Sequence, residues 1–252
     1  MKTEIEIIKK TFSANLASVD DLIDFDQLIL MLATSNLKKI VDTLEVAGKV
    51  QAARDVQNRM AVLENIRSHA SMKKHYGTIF GQGVVLLVSY FASVTQDLFK
   101  SAASHAFTSG SDAPVTSQEV KLTWRDLSAE IENPAHAFAE LLVTQKDISF
   151  QDMQSIARAF SNYFGIEIQR ESHVNDIIVA QAARHSIVHN GGIVDKRMIN
   201  QLNSAKPRTI KRVVTMGEEV KFVPDEVRAV AAAMKEYVEN LIRALEGRFP
   251  AA

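Results

Sequence analysis

The stretch QAARHSIVHNGGIVD, Gln181 to Asp195, sets an arginine, two histidines and an asparagine into an apolar run that breaks at two glycines. With the residues before it, Val174, Ile177, Ile178, Gln181, Ala182, His185, Ile187 and Val188 follow the three- and four-residue spacing of an amphipathic helix. Gly191 or Gly192 is placed for the left-handed residue that closes such a helix. Arg184, His185 and His189 therefore fall in its last turns. His185 and His189 share a face, and Arg184 lies about 140° round from His189 and about 7.5 Å along the axis. A long arginine side chain spans that gap.

Two readings of this ending stand side by side. A helix C-terminus favours cations by ~0.3–1 kcal/mol, so Arg and His before Asn190 and two glycines make an ordinary stop. The same residues also form a phosphate-handling group. A zinc site on the i, i+4 histidines is the weakest reading, because the chain has no cysteine and no third ligand is spaced nearby.

Outward from this stretch, nearly everything reads as helix. DLIDFDQLILMLATSNLKKIVDTLEVAG places Leu22, Phe25, Leu28, Ile29, Leu32, Leu37, Ile40, Val41 and Leu44 at helical steps and stops at Gly48. A polar helix over roughly 51–75 follows. Gly77, Gly81 and Gly83 break the pattern as a helix-breaking linker, without the Lys-Ser/Thr of a phosphate-binding loop. A strongly apolar helix then runs from about Val84 to Ala106 and, apolar on most faces, is expected at the centre. TSGSDAPVTSQ is the clearest loop. Short helices are expected within 124–132, 135–144 and 149–164, the last ending at Gly165. KRVVTMGEEVKFV changes period around a Met-Gly turn and predicts a small β-hairpin before a last helix that starts at Pro224. The fold class is all-α.

The chain has 252 residues, 46% of them hydrophobic and 23% charged, enough to bury a proper core. A net charge of −1 gives no global attraction to nucleic acid, so such binding needs a local patch. From Arg184 to Lys221 there are eight Lys/Arg against three acids. Arg197, Lys206, Arg208, Lys211 and Arg212 are the candidate RNA contacts, with a solvated loop as the plain alternative. No aromatic residue interleaves 206–212 to stack bases. The absence of cysteine excludes disulfides and thiolate chemistry. MKTEIEIIKK has acids where a signal peptide would be basic then apolar, and GVVLLVSYFASV is too short and polar to span a bilayer. A soluble cytoplasmic protein, with no membrane association, is expected.

RHSIVH resembles the signature of the HEPN superfamily, an arginine followed by a polar residue and, four to six positions after the arginine, a histidine. VVLLVSYFASVTQDLFKSA resembles an early core helix of these domains, and ISFQDMQSIARAFSNYFGIEI the segment leading to the motif helix. RHSIVHNGGIVD and the closing VPDEVRAVAAAMKEYVENLI complete the likeness, which is closest to RiboL-PSP-type members and covers about Gly77 to Leu245. It implies a HEPN-like helical bundle over 77–250 with an N-terminal helical region, 1–76, of unassigned role. It also implies a homodimeric, metal-independent endoribonuclease without cofactor, of the toxin–antitoxin or antiviral defence kind, with an antitoxin or sensor protein as a further partner. Carried to matching positions, Arg184 and His189 are the catalytic pair, with His185 and Asn190 as supporting polar residues.

Those residue types suit the chemistry. Imidazole titrates near neutral pH and moves protons; a guanidinium grips phosphate oxygens bidentately. One departure from the resemblance stands out. Relatives often carry an acid in the early core helix where this chain has Ala92, and the nearest acid is Asp97. A catalytically inactive HEPN module that binds RNA or a protein is therefore the alternative. Six acids near the start (Glu4, Glu6, Asp20, Asp21, Asp24, Asp26) are candidates to shield a basic cleft.

Overall fold

The apolar helix is the axis of the molecule, and it is longer than its sequence pattern implies. In the computed structural model, which describes residues 1–65, 70–121, 134–169 and 171–250 (70–74 by backbone alone), it runs unbroken from Ala70 to Ser109 as α3. Gly77, Gly81 and Gly83 do not interrupt it. Two of them serve packing instead: a Cβ on Gly81 would meet Ile187 at 3.6 Å, and one on Gly83 would meet Val227 and Val19 at 3.4 and 3.5 Å. These two glycines let neighbouring helices approach closely, and α3 tolerates their weak helix propensity because tertiary packing holds it. Val84, Leu87, Phe91, Leu98 and Phe99 are completely buried. By length and composition the His75–Ser109 span would cross a membrane, but half of its most apolar window is buried inside the chain itself.

Around α3 stand α1 (Lys2–Val46), α2 (Val50–Glu64), α4 (Pro134–Gln145), α5 (Met153–Phe164), α6 (Ser172–His189), α7 (Lys196–Ser204) and α8 (Pro224–Arg248), with a short 3-10 turn at Pro114–Ser117 in the expected loop. The described residues are all-helical, with no strand. Within α1, Ile5, Phe12, Val19 and Ile23 are buried against the bundle, after which only Val41 is buried. The first half of α1 is thus part of the core, and the domain boundary expected at residue 76 falls inside α3. The second half continues alone with α2 as a hairpin, closed at Gly48 (φ +70°). It leaves exposed much of the apolar stripe that the sequence offers as core: Phe25, Leu28, Ile29, Leu32 and Ile40.

Local chemistry sets the ends of the short helices. Asp152 accepts a hydrogen bond from Ser155 N–H at 2.8 Å to start α5, and Gly165 (φ +70°) closes it. Asp195 does the same for Met198 N–H at 2.7 Å at the head of α7. Phe99 meets Phe150, Phe160, Tyr163 and Phe164 edge-on, with ring centroids 5.0–5.8 Å apart, and so joins α3 to α5.

The expected β-hairpin over 211–223 does not form. Gly217 N–H donates to Val194 O, Val194 N–H to Glu218 O, and Val220 N–H to Gly192 O at 2.8–2.9 Å, with a single antiparallel bridge between Ile193 and Glu219. The segment pairs with the chain that leaves α6 rather than with itself. Val220 and Phe222 are buried while Val213 is exposed. The expected helix over 124–132, with Trp124, lies outside the described residues, as does His69.

Candidate active site at the end of α6

Helix α6 ends where its sequence says it should. His189 is its last residue, Asn190 N–H and Gly192 N–H both donate to Ser186 O at 2.9 Å, and Gly191 and Gly192 take φ +59° and +78°. Asn190 turns its side chain back, donating from Nδ2 to Ile193 O at 2.9 Å. Its role here is to hold the turn.

The two imidazoles are neighbours, their ring centroids 4.9 Å apart and tilted by 46°. His189 is exposed and His185 half-buried. Arg197, at the head of α7, reaches back so that Nη1 lies 3.1 Å from Nε2 of His185. A guanidinium can only donate, so Nε2 is the accepting nitrogen and the ring proton sits on Nδ1. Loss of hydration lowers the affinity of His185 for a second proton, and the Arg197 charge and the neighbouring His189 lower it further. His185 is therefore neutral at physiological pH.

Arg184 sits half-buried one turn from Gln181. Its Nε–H is buried with no hydrogen-bond partner among the described residues, and so is the amide nitrogen of Gln181, whose oxygen accepts from Met153 N–H at 3.1 Å. A buried N–H left without an acceptor costs about 1–3 kcal/mol.

Ala92 is buried on α3. Helix α6 runs antiparallel to α3: Ile187 is level with Gly81, whereas His173 meets Tyr237, which in turn meets Phe91. Asp97 faces α1, beside Ile8 and Phe12, with Ser93 Oγ donating to it at 3.5 Å. Burial raises its pKa above the ordinary value.

The basic residues divide into three groups. Arg197 belongs to the histidine pair. Arg208 is an internal staple: Nε donates to Lys211 O, Nη1 to Leu202 O and Ala205 O, and Nη2 to Arg212 O. Lys211 is another, bonded to Lys221 O and Glu226 and packed 4.4 Å over the Phe222 ring. Lys206 and Arg212 remain exposed. Their loop is tied to the opposite end of α6, where Asn175 donates to Pro207 O at 2.8 Å and Asp176 accepts from Thr209 N–H at 2.8 Å. Thirteen residues separate Asp176 from His189, about 20 Å of helix. Of the basic segment, Arg197 meets the motif directly, while Pro207 and Thr209 are fastened to the start of α6.

Three of the six early acids are occupied elsewhere: Glu4 accepts from Ser101 at 2.6 Å, and Asp20 and Asp24 hold Arg228 at 2.8 and 2.5 Å. One cluster escaped sequence reading altogether. His173, buried at the start of α6, has Nδ1 3.5 Å from Glu171 and 3.6 Å from Glu236. Its three ligand-type atoms lie within 4.8 Å of one another. Glu236 is far away in the chain, so no local spacing announces the group.

No protein-family model, curated protein or solved structure matches this chain. The residues at the end of α6 therefore carry the functional argument alone.

Proposed function

We propose that the protein is a metal-independent endoribonuclease of HEPN type, acting at the C-terminal end of α6. The observation that carries this reading is the pair of adjacent imidazoles, one exposed and one half-buried, with the Arg197 guanidinium 3.1 Å from His185 and Arg184 in the same turn of the helix. Such a set binds a phosphodiester and moves protons without a metal. In the proposed step the 2′-hydroxyl of the substrate attacks the adjacent phosphorus and its proton passes to a histidine. The bond to the 5′-oxygen breaks, and that oxygen takes a proton from a second histidine. Arg184, whose Nε–H lacks an acceptor, offsets charge on the phosphate oxygens. A homodimer places a second His189 and Arg184 at the same linkage, in keeping with the resemblance of RHSIVH to the HEPN signature.

Purified protein should cut RNA in excess chelator and leave 2′,3′-cyclic phosphate ends, and a deoxyribose at the scissile position should block cutting. His189→Ala and Arg184→Ala should each abolish cleavage while leaving the fold intact. Cutting that survives His189→Ala, or that requires Mg²⁺, removes the mechanism. The second reading, a non-catalytic module that binds RNA, is favoured by Ala92, which stands where the resemblance calls for an acid. Tight RNA binding without cleavage, unchanged in His189→Ala, would select it.

A further inference from the structure

The protruding half of α1 carries an apolar face that nothing among the described residues covers. Phe25 is 62% exposed, Leu28 50% and Leu32 51%, with Ile29 beside them at 49%. Large contiguous apolar surface of this kind marks an interaction site. At 100° per residue, Asp21, Phe25, Leu28, Leu32, Ser35 and Lys39 fall in one band about 80° wide, centred roughly 160° round from Ile23 and Val41, the buried residues of this half. Their steps of four, three, four, three and four are the heptad spacing of a helix seam. Asp21, Ser35 and Lys39 are exposed like the apolar residues between them.

We propose that this seam is the interface between two copies of the chain, packed antiparallel about a two-fold axis level with residue 30. The seam is complementary to its own reverse. Symmetry about residue 30 sets Leu28 against Leu32 of the partner copy, Phe25 against the small Ser35, and Asp21 against Lys39, each pair occurring twice. A parallel pairing would instead oppose Asp21 to Asp21, Lys39 to Lys39, and two phenylalanines to each other. Charge and size both select the reversed arrangement. Val19 packs at Gly83 and Ile187 at Gly81, so the seam leaves the bundle at the end that bears His185 and His189. The interface does not rest on cleavage: a dimer that Leu28→Asp with Leu32→Asp dissolves but that cuts no RNA upholds the seam and removes only the nuclease reading.

Sedimentation of the full chain at tens of micromolar should give twice the 27.9 kDa chain mass. Leu28→Asp with Leu32→Asp should give monomer with unchanged helicity by circular dichroism. Asp21→Lys and Lys39→Asp should each weaken the dimer about two- to thirtyfold, at ~0.2–1 kcal/mol for each of the two pairs lost, and the double exchange should restore it. Since the chain has no cysteine, oxidising a mixture of Asp21→Cys and Lys39→Cys chains should yield a disulfide-linked dimer that neither chain forms alone. Monomer at those concentrations, or a dimer that withstands the Leu28/Leu32 change, overturns the proposal. Self-linking of either cysteine chain, or no link in the mixture, overturns the antiparallel arrangement.

Discussion

Replacing Asp176 with alanine tests how the loop over 205–212 is held. The carboxylate is buried, only 3% exposed, in the second turn of α6. It accepts hydrogen bonds from Thr209 N–H at 2.8 Å, Thr209 Oγ1 at 2.6 Å and Ile210 N–H at 3.4 Å. Removing it leaves Thr209 N–H and Ile210 N–H without an acceptor. The Thr209 hydroxyl can rotate toward water, and the Ile210 bond is long, so the cost is dominated by one good backbone bond plus part of another. At about 1–3 kcal/mol for each buried donor left unsatisfied, the loss should be about 2–4 kcal/mol. Asp176→Asn keeps one acceptor oxygen and should lose less, about 1–2 kcal/mol. Urea unfolding followed by circular dichroism measures both, and the order wild type, Asn, Ala should appear in the midpoints with a common slope. A loss under about 1 kcal/mol for alanine, or asparagine as damaging as alanine, would refute the idea that acceptor geometry holds this loop.

Phe99→Ala should cost about 3–5 kcal/mol in the same assay, because Phe99 is completely buried among four aromatic rings. Gly77→Ala should stabilise by up to about 1 kcal/mol, since nothing lies within 4 Å of the added carbon and alanine is the better helix former. Gly83→Val, whose branches would strike Val227 and Val19, should destabilise by about 1–3 kcal/mol, and thermal melts of the pair should shift in opposite directions. The folded-state pKa of His185 lies below its ordinary 6.5, so between the two values the unfolded chain binds the extra proton. Stability from this group is complete above about pH 6.5 and falls as the pH drops through the folded value. His105, lowered by burial and then by the N-terminal amine, acts in the same sense. His185→Gln should flatten the fall in urea midpoint below pH 6.5, and an unchanged slope would contradict the shift.

What the sequence by itself determined is local: the helical period, the caps at Asp152 and Asp195, the stops at Gly48, Gly165 and Gly191, and the meeting of His185 with His189 one turn apart. These depend on residues within a few positions of one another, where spacing is geometry. Tertiary packing decided the rest. It carried α3 through three glycines, two of which give neighbouring helices room, and it turned 217–220 to pair with 192–194 instead of folding back on itself. It fastened Pro207 and Thr209 to the start of α6, drew Arg197 back to His185, and set Asp97 against α1. It also left Phe25, Leu28 and Leu32 bare, although their spacing is indistinguishable from that of a buried stripe. Periodicity tells which residues share a face, and only the number and placement of neighbouring helices tell whether that face is covered.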